Sequence, residues 1–241
     1  MKTIRPYLLI VSVCLAVALA GCATTAPTAA PSVASSAPTQ APATAAPAAA
    51  APATAAPVAV AAGATRWTLD PAGSEARFKA REQLAGHDLP NDAIGKTKAI
   101  QGSMVIDKQG AISADQSKFE VDLNTLTSDQ SRRDNFIKRS TLDTAQYPTA
   151  VFVPTGVTGL PASIPDSGNG TFQVTGNMTI HGVTKPVTWD VTAKKSGNQL
   201  TGTASTVIKL VDYGMTPPKV PVVLSIEDNI TLEVDFTMAQ G

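Results

Sequence analysis

Thr171-Phe172-Gln173-Val174-Thr175-Gly176-Asn177-Met178-Thr179-Ile180 places Phe172, Val174, Gly176, Met178 and Ile180 on one face and mostly polar residues on the other. A period of two marks a strand with one buried and one wet face. Beyond Ile180 the pattern resumes: Val187, Trp189, Val191 and Ala193 alternate with Thr188, Asp190, Thr192 and Lys194. His181-Gly182 lies between the two runs and suits a tight antiparallel hairpin.

Outward from this hairpin the same alternation predicts strands over 66–69, 74–81, 99–107, 118–123, 150–155, 199–211 and 229–238. Turn residues separate most of them, as in Asp107-Lys108-Gln109-Gly110, 165–170 and Ser196-Gly197-Asn198. Only 128–139 departs from the period. It offers Ser128 as N-cap, Asp129 in a first turn, and Lys138 and Arg139 in a last turn, without internal Gly or Pro. Many sequential strands with one helical crossing predict an all-β fold: a closed antiparallel barrel of about eight strands with one short helix. Closure also removes the exposed strand edges that favour aggregation.

The barrel accounts for residues 66–241. These carry 17 basic and 19 acidic side chains, a net charge of −2, which excludes a basic nucleic-acid binder at the level of bulk charge. Residues 1–65 hold only two charges, Lys2 and Arg5, both ahead of an apolar run over 8–20. That run is short for a bilayer span and reads as an export signal over 1–21. It closes on Leu19-Ala20-Gly21-Cys22, which resembles the lipobox of bacterial lipoproteins and implies a lipid anchor on Cys22. The expected location is the outer face of a bacterial membrane, in the periplasm or at the cell surface. Residues 23–65 contain 21 Ala, 7 Pro, 7 Thr and 3 Ser and no charge, a composition that builds no core. With Cys22 they form a linker, 22–65, reaching from about 35 Å as a coil to about 130 Å fully extended. Cys14 falls in the signal and Cys22 at the anchor, so 66–241 has no thiol for a disulfide or metal site.

Several short motifs then resemble one family: Trp67-Thr68-Leu69-Asp70-Pro71, Ser74, Phe78, Gly102, 122–125, Ser128, Arg133-Asp134, Tyr147-Pro148, and Gly176 to Lys185. In this order they are similar to the YceI-like family of exported lipid-binding proteins. The resemblance implies a lipocalin-like barrel around a polyisoprenoid or isoprenoid quinone, with that lipid as the bound group and no other cofactor. Two departures bear on the barrel mouth: Gly73 stands where the family commonly has His, and 81–98 forms a long polar loop.

Alternation nominates Phe78, Met104, Ile106, Phe152, Phe172, Met178, Ile180, Trp189, Leu232 and Phe236 for the inner face. Such residues either line a cavity or fill a small barrel solidly. Met104 and Met178 suit an irregular chain because thioethers are flexible. Arg132, Arg133, His181 and Tyr213 are head-group candidates. Each has a structural counterpart: a solvated helix face with an ion pair for the arginines, a turn residue for His181, a strand-ending corner for Tyr213. Two His residues without Asp or Glu at ligand spacing argue against zinc. Neither a Gly-x-Ser-x-Gly elbow, nor a phosphate-binding glycine loop, nor a His-Glu-x-x-His helix is present, so no enzyme is expected. Expected partners are an amphiphilic isoprenoid and, through Cys22, a membrane, with no nucleic acid. A homodimer remains open. The alternative function is a structural or stress-response surface protein whose barrel is a platform for protein contacts.

Overall fold

The computed structural model describes residues 63–86, 88–160, 169–219 and 221–241. The export signal, Cys22, the linker through residue 62, and His87 lie outside these. Ten strands form one antiparallel sheet: β1 (Thr65–Leu69), β2 (Glu75–Leu84), β3 (Asn91–Thr97), β4 (Ile100–Ile106), β5 (Lys118–Asp122), β6 (Thr149–Thr158), β7 (Gly170–Ile180), β8 (Val183–Ser196), β9 (Gln199–Lys209) and β10 (Val223–Gln240). The spatial order is β1-β4-β5-β6-β7-β8-β9-β10-β2-β3, and β1 also pairs with β10.

That last pairing closes the sheet. β1 and β2 run end to end along one side of β10, residues 67–69 opposing 238–240 and the whole of β2 opposing 223–235. β3 and β4 follow in the same way along β2 and β1. Counted as continuous rods, the sheet is an eight-stranded antiparallel barrel.

The bend between β1 and β2 is written in Asp70-Pro71-Ala72-Gly73-Ser74. Pro71 opens a single 3-10 turn, Asp70 accepts from the Ala72 N–H at 3.0 Å, and Ser74 Oγ donates to the Asp70 carbonyl at 2.7 Å. Thr237 N–H donates to Ser74 Oγ at 3.0 Å and so ties the bend to β10. Gly73 lies against Thr237, whose Oγ1 would stand 2.8 Å from a Cβ at that position. Gly73 thus packs beside Thr237, which alternates along β10 with the lumen residues Phe236 and Met238.

The expected loop over 81–98 is corrected more fundamentally. Residues 81–84 continue β2, and Asn91–Thr97 is the strand β3. Its inward residues are Ala93, Gly95 and Thr97, too small to give a hydrophobic alternation.

The helix also starts later than expected. α1 (Ser131–Phe136) is followed by a π-turn over Ile137–Thr141. Gln130, not Ser128, occupies the cap position. Ser128 acts from upstream: its N–H and Oγ both donate to Asp134 Oδ1, at 2.9 and 2.6 Å. β9 stops at Lys209, two residues short of the expected 211, and Leu210–Tyr213 forms a 3-10 turn that makes the expected corner. β10 begins at Val223 rather than 229, because register shifts between Val223 and Ser225 and between Ile226 and Ile230 break the alternation there. His181 (φ 51°) and Gly182 (φ 74°) make a two-residue hairpin turn with both residues left-handed, the geometry that matches strand twist.

Candidate functional site

The inner faces of the strands surround a lumen of about 280 Å³, near the lower end of the range typical of small-molecule pockets. Strand side chains supply most of the wall. Leu123, Leu126, Ile137, Thr141 and Leu142 from the β5–β6 connection, with Leu210, Met215 and Pro218 from the β9–β10 connection, line the end where α1 sits.

The barrel keeps this space because four of its phenylalanines lie along the wall. Each ring covers a glycine on the neighbouring strand. A Cβ on Gly95 would lie 2.2 Å from the Phe78 ring, on Gly102 2.6 Å from Phe119, on Gly176 2.6 Å from Phe152, and on Gly202 2.8 Å from Phe236. At Gly95 a larger residue would press on the ring alone, whereas at Gly102, Gly176 and Gly202 a backbone carbonyl of a neighbouring strand lies closer still, at 2.4, 2.4 and 2.2 Å. Glycine beneath an aromatic is thus how large apolar residues and an open interior coexist in a narrow barrel.

Of the ten residues nominated for the inner face, Phe78, Met104, Phe152, Phe172, Met178, Ile180, Trp189, Leu232 and Phe236 line the lumen. Ile106 does not. It is the last residue of β4, paired with Thr65 and bridged to Ile112, beyond the end of the lumen. Phe119 and Val121 of β5 were not nominated although both line it. Their alternation with Lys118, Glu120 and Asp122 carries the signal.

The four head-group candidates come together at the α1 end of the barrel, from three different connections, and none lines the lumen. Arg132 is exposed. Arg133 donates to Glu82 Oε1 at 2.8 Å and pairs with Asp129 one turn before it. Glu82 is only 4% exposed, and the Asn91 amide reaches the same oxygen at 3.4 Å. Glu82 follows Ala76, Phe78 and Ala80 on the inward face of β2, so this ion pair fastens α1 across the barrel end. His181 packs its ring on Tyr147 with centroids 4.6 Å apart, as a turn residue would. Tyr213 is 1% exposed, and its hydroxyl has no hydrogen-bond partner among the described residues. Burial, reinforced by the charge of Asp212, pushes the Tyr213 phenol up to about 12.

The outer face of β2 and β10 is of another kind. Arg77 donates to Glu233 at 2.8 Å and Asp235 at 2.6 Å, and Lys79 donates to Glu233 at 2.8 Å. The hydrogen bonds from Arg77 and Lys79 hold the Glu233 carboxyl below its usual range, and the bond to Glu233 raises Arg77. Among the described residues no three His, Cys, Asp or Glu side chains are placed to hold a metal ion. The lumen therefore offers an almost wholly apolar enclosure; Trp189 and Thr141 line it, while their polar atoms Nε1 and Oγ1 are themselves buried and have no hydrogen-bond partner among the described residues.

Known proteins share this architecture. A UPF0312 protein of Shewanella sp. (strain ANA-3) is 28% identical over 183 residues, covering 72% of this chain and 89% of the relative. A UPF0312 protein of Pseudomonas putida is 39% identical over 111 residues, covering 42% of this chain and 54% of the relative. Two solved structures share the fold: a polyisoprenoid binding domain from Saccharophagus degradans implicated in plant cell wall breakdown (TM-score 0.55, 15% identity, 73% of this chain and 98% of the other) and Burkholderia cenocepacia BcnA (TM-score 0.52, 19% identity, 70% and 98%). Residues 67–238 match the YceI-like domain, which spans both ends of the closed barrel, and the chain belongs to that family.

Proposed function

We propose that the protein is a membrane-anchored carrier that holds a polyisoprenoid or isoprenoid quinone in the barrel lumen. The observation that carries this reading is the lumen itself, apolar on all sides and kept open by rings laid over glycines. A structural neighbour that is a polyisoprenoid binding domain supports it. In water each methylene of the chain that enters the lumen contributes about 0.8 kcal/mol, several kcal/mol per isoprene unit before the cost of ordering the chain. Against a bilayer that advantage vanishes, because lipid tails are as apolar as the barrel wall. Affinity there comes from packing against the wall and from whatever polar contacts the lumen provides.

Leu19-Ala20-Gly21-Cys22 supports lipidation at Cys22, and the chargeless linker gives an anchored barrel reach above the outer face of the membrane. The action is reversible binding, without a chemical step: sequestration, carriage or presentation of the lipid.

Titration of delipidated protein with a ubiquinone, followed by intrinsic tryptophan fluorescence, tests the lumen. Saturable binding is expected, at least tenfold weaker in Ala204→Phe, whose ring projects into the lumen from β9. Absence of saturable binding, or equal binding by Ala204→Phe, leaves the barrel as a platform for protein contacts. For the anchor, Cys22→Ser is expected to move the protein from the membrane to the soluble fraction. An unchanged distribution contradicts lipidation.

A further inference from the structure

The large hydrophobic side chains left exposed among the described residues are not scattered. Leu89, Val207, Val211, Val222 and Leu224 are between 56% and 77% exposed, against 40% for Ile94 and 37% for Leu160. Those five share one end of the barrel, where β2 and β9 finish and β3 and β10 begin. Backbone contacts gather them. Ala85 N–H, just past β2, donates to the Val222 carbonyl at 2.9 Å, and the 85–90 connection carries Leu89 beyond that bond. Leu224 is the extra residue of a bulge, between the pairs of Val223 with Leu84 and of Ser225 with Gln83. Bulges of this kind re-aim a side chain at the edge of a barrel. The same end closes the lumen: Leu210 and Pro218, which line it, are the chain neighbours of exposed Val211 and Lys219. Single exposed aliphatics are ordinary, but a cluster at the end of a lumen marks an interaction surface.

We propose that this apolar rim is a membrane-docking surface: Leu89, Val222 and Leu224 enter the interface of a lipid bilayer and set the α1 end of the lumen against it. The tether argues for this occupant. β1 enters the barrel at the opposite end, where Trp67 pairs with Gln240 near the finish of β10. A short connection to a lipid anchor would hold the rim away from the membrane. The 11 residues of β9 extend about 36 Å, or about 28 Å of barrel height at a strand tilt of about 40°. The 22–65 linker, about 35 Å as a coil, spans that height and lets an anchored barrel turn its rim to the bilayer. Docking is then intramolecular and needs little affinity of its own. The chemistry of the rim agrees. All five residues are aliphatic and stand on separate turns and strand ends, without the Trp, Tyr or Arg anchors that dominate protein interfaces. The exposed charges among them are of both signs, Lys209 and Lys219 against Asp88 and Asp212. Burial of aliphatic side chains, not attraction to anionic lipid, therefore supplies the affinity. A docked rim lets a lipid pass between bilayer and lumen without crossing water.

This inference rests on the anchored-carrier reading above, and the experiment separates the two. The full chain, carrying Leu224→Cys or, at the other end, Leu160→Cys, is labelled with a polarity-sensitive fluorophore and reconstituted through its own anchor into phosphatidylcholine vesicles. Nitroxide-bearing lipid is expected to quench the label at 224 at least about threefold more strongly than at 160. Equal quenching, or stronger quenching at 160, overturns the inference. Shielding of 224 from aqueous iodide without quenching by the lipid probe places a second copy on the rim and overturns it equally. Leu89→Asp combined with Leu224→Asp is expected to slow ubiquinone uptake from vesicles about tenfold while binding of ubiquinone from detergent micelles, which reports a folded barrel, is unchanged. Equal uptake from vesicles by variant and wild type contradicts the proposal. Wild type that is quenched at 224 yet takes up no ubiquinone from either source overturns the carrier reading and leaves docking standing. More than one label per chain, counted by mass, exposes an unlipidated Cys22 and overturns the anchor and this inference together.

Discussion

Two sets of buried polar groups in this barrel are handled in opposite ways. Under α1, the inward carboxylate of Glu82 is matched by Arg133 and Asn91. On two residues that line the lumen, the buried Trp189 Nε1 and Thr141 Oγ1 have no hydrogen-bond partner among the described residues. The first set is complete in itself and holds the helical connection to β2. The second is left at a cost in stability. A matched buried carboxylate holds an element in place, whereas an unmatched buried polar atom costs stability.

The largest test of that contrast removes Arg133. Arg133→Ala strands the Glu82 carboxylate in its buried setting and is expected to lower the unfolding free energy by about 3–5 kcal/mol in denaturant titration. The pair Glu82→Leu with Arg133→Met is expected to restore most of it, because an apolar pair of similar size needs no partner. If Arg133→Ala costs nothing, the ion pair is not what fastens α1.

Tyr213 is a third kind of case, an unsatisfied hydroxyl that does not line the lumen. The unfolded phenol ionises near pH 10 and the folded one near 12, so the unfolded chain releases its proton first as pH rises. Stability therefore falls between these values, by about 2–3 kcal/mol in all. Tyr213→Phe is expected to match or exceed wild type at pH 7 and to escape this alkaline loss. Parallel alkaline curves for the two proteins break the assignment.

A smaller effect is expected at Gly95. All the near neighbours of a Cβ there belong to the Phe78 ring, which can swing inward. Gly95→Ala should cost about 1 kcal/mol or less in stability yet weaken ligand binding several-fold by narrowing the lumen. Smallest of all is Lys79→Ala on the outer wall, where the ion pair with Glu233 is partly exposed. A loss below about 1 kcal/mol is expected, shrinking further as salt is added.

Much of the barrel is legible in the sequence because alternation reports which face a residue takes. Phe172, Val174, Met178 and Ile180 follow directly from it, as do Trp189 and Val191. It does not report height along the barrel axis, which is why Ile106 shares a face with Met104 and yet lies past the lumen's end. Nor does it register a strand whose inner face must be small. Gly95 is needed beneath Phe78, and its neighbours Ala93 and Thr97 are also modest, so β3 reads as a polar loop. The residues that close the α1 end, such as Leu126, Ile137 and Met215, come from irregular connections where no period exists. The clustering of the four head-group candidates at that end is likewise a property of the topology, set by which turns share a rim.

The most direct measurement of the central claim is native mass spectrometry of the full chain purified from bacterial membranes under mild conditions. The account predicts protein carrying one isoprenoid lipid, released on unfolding and identifiable by its mass, and absent from Ala204→Phe. Wild-type protein that is consistently free of lipid, or lipid retained equally by Ala204→Phe, would contradict it.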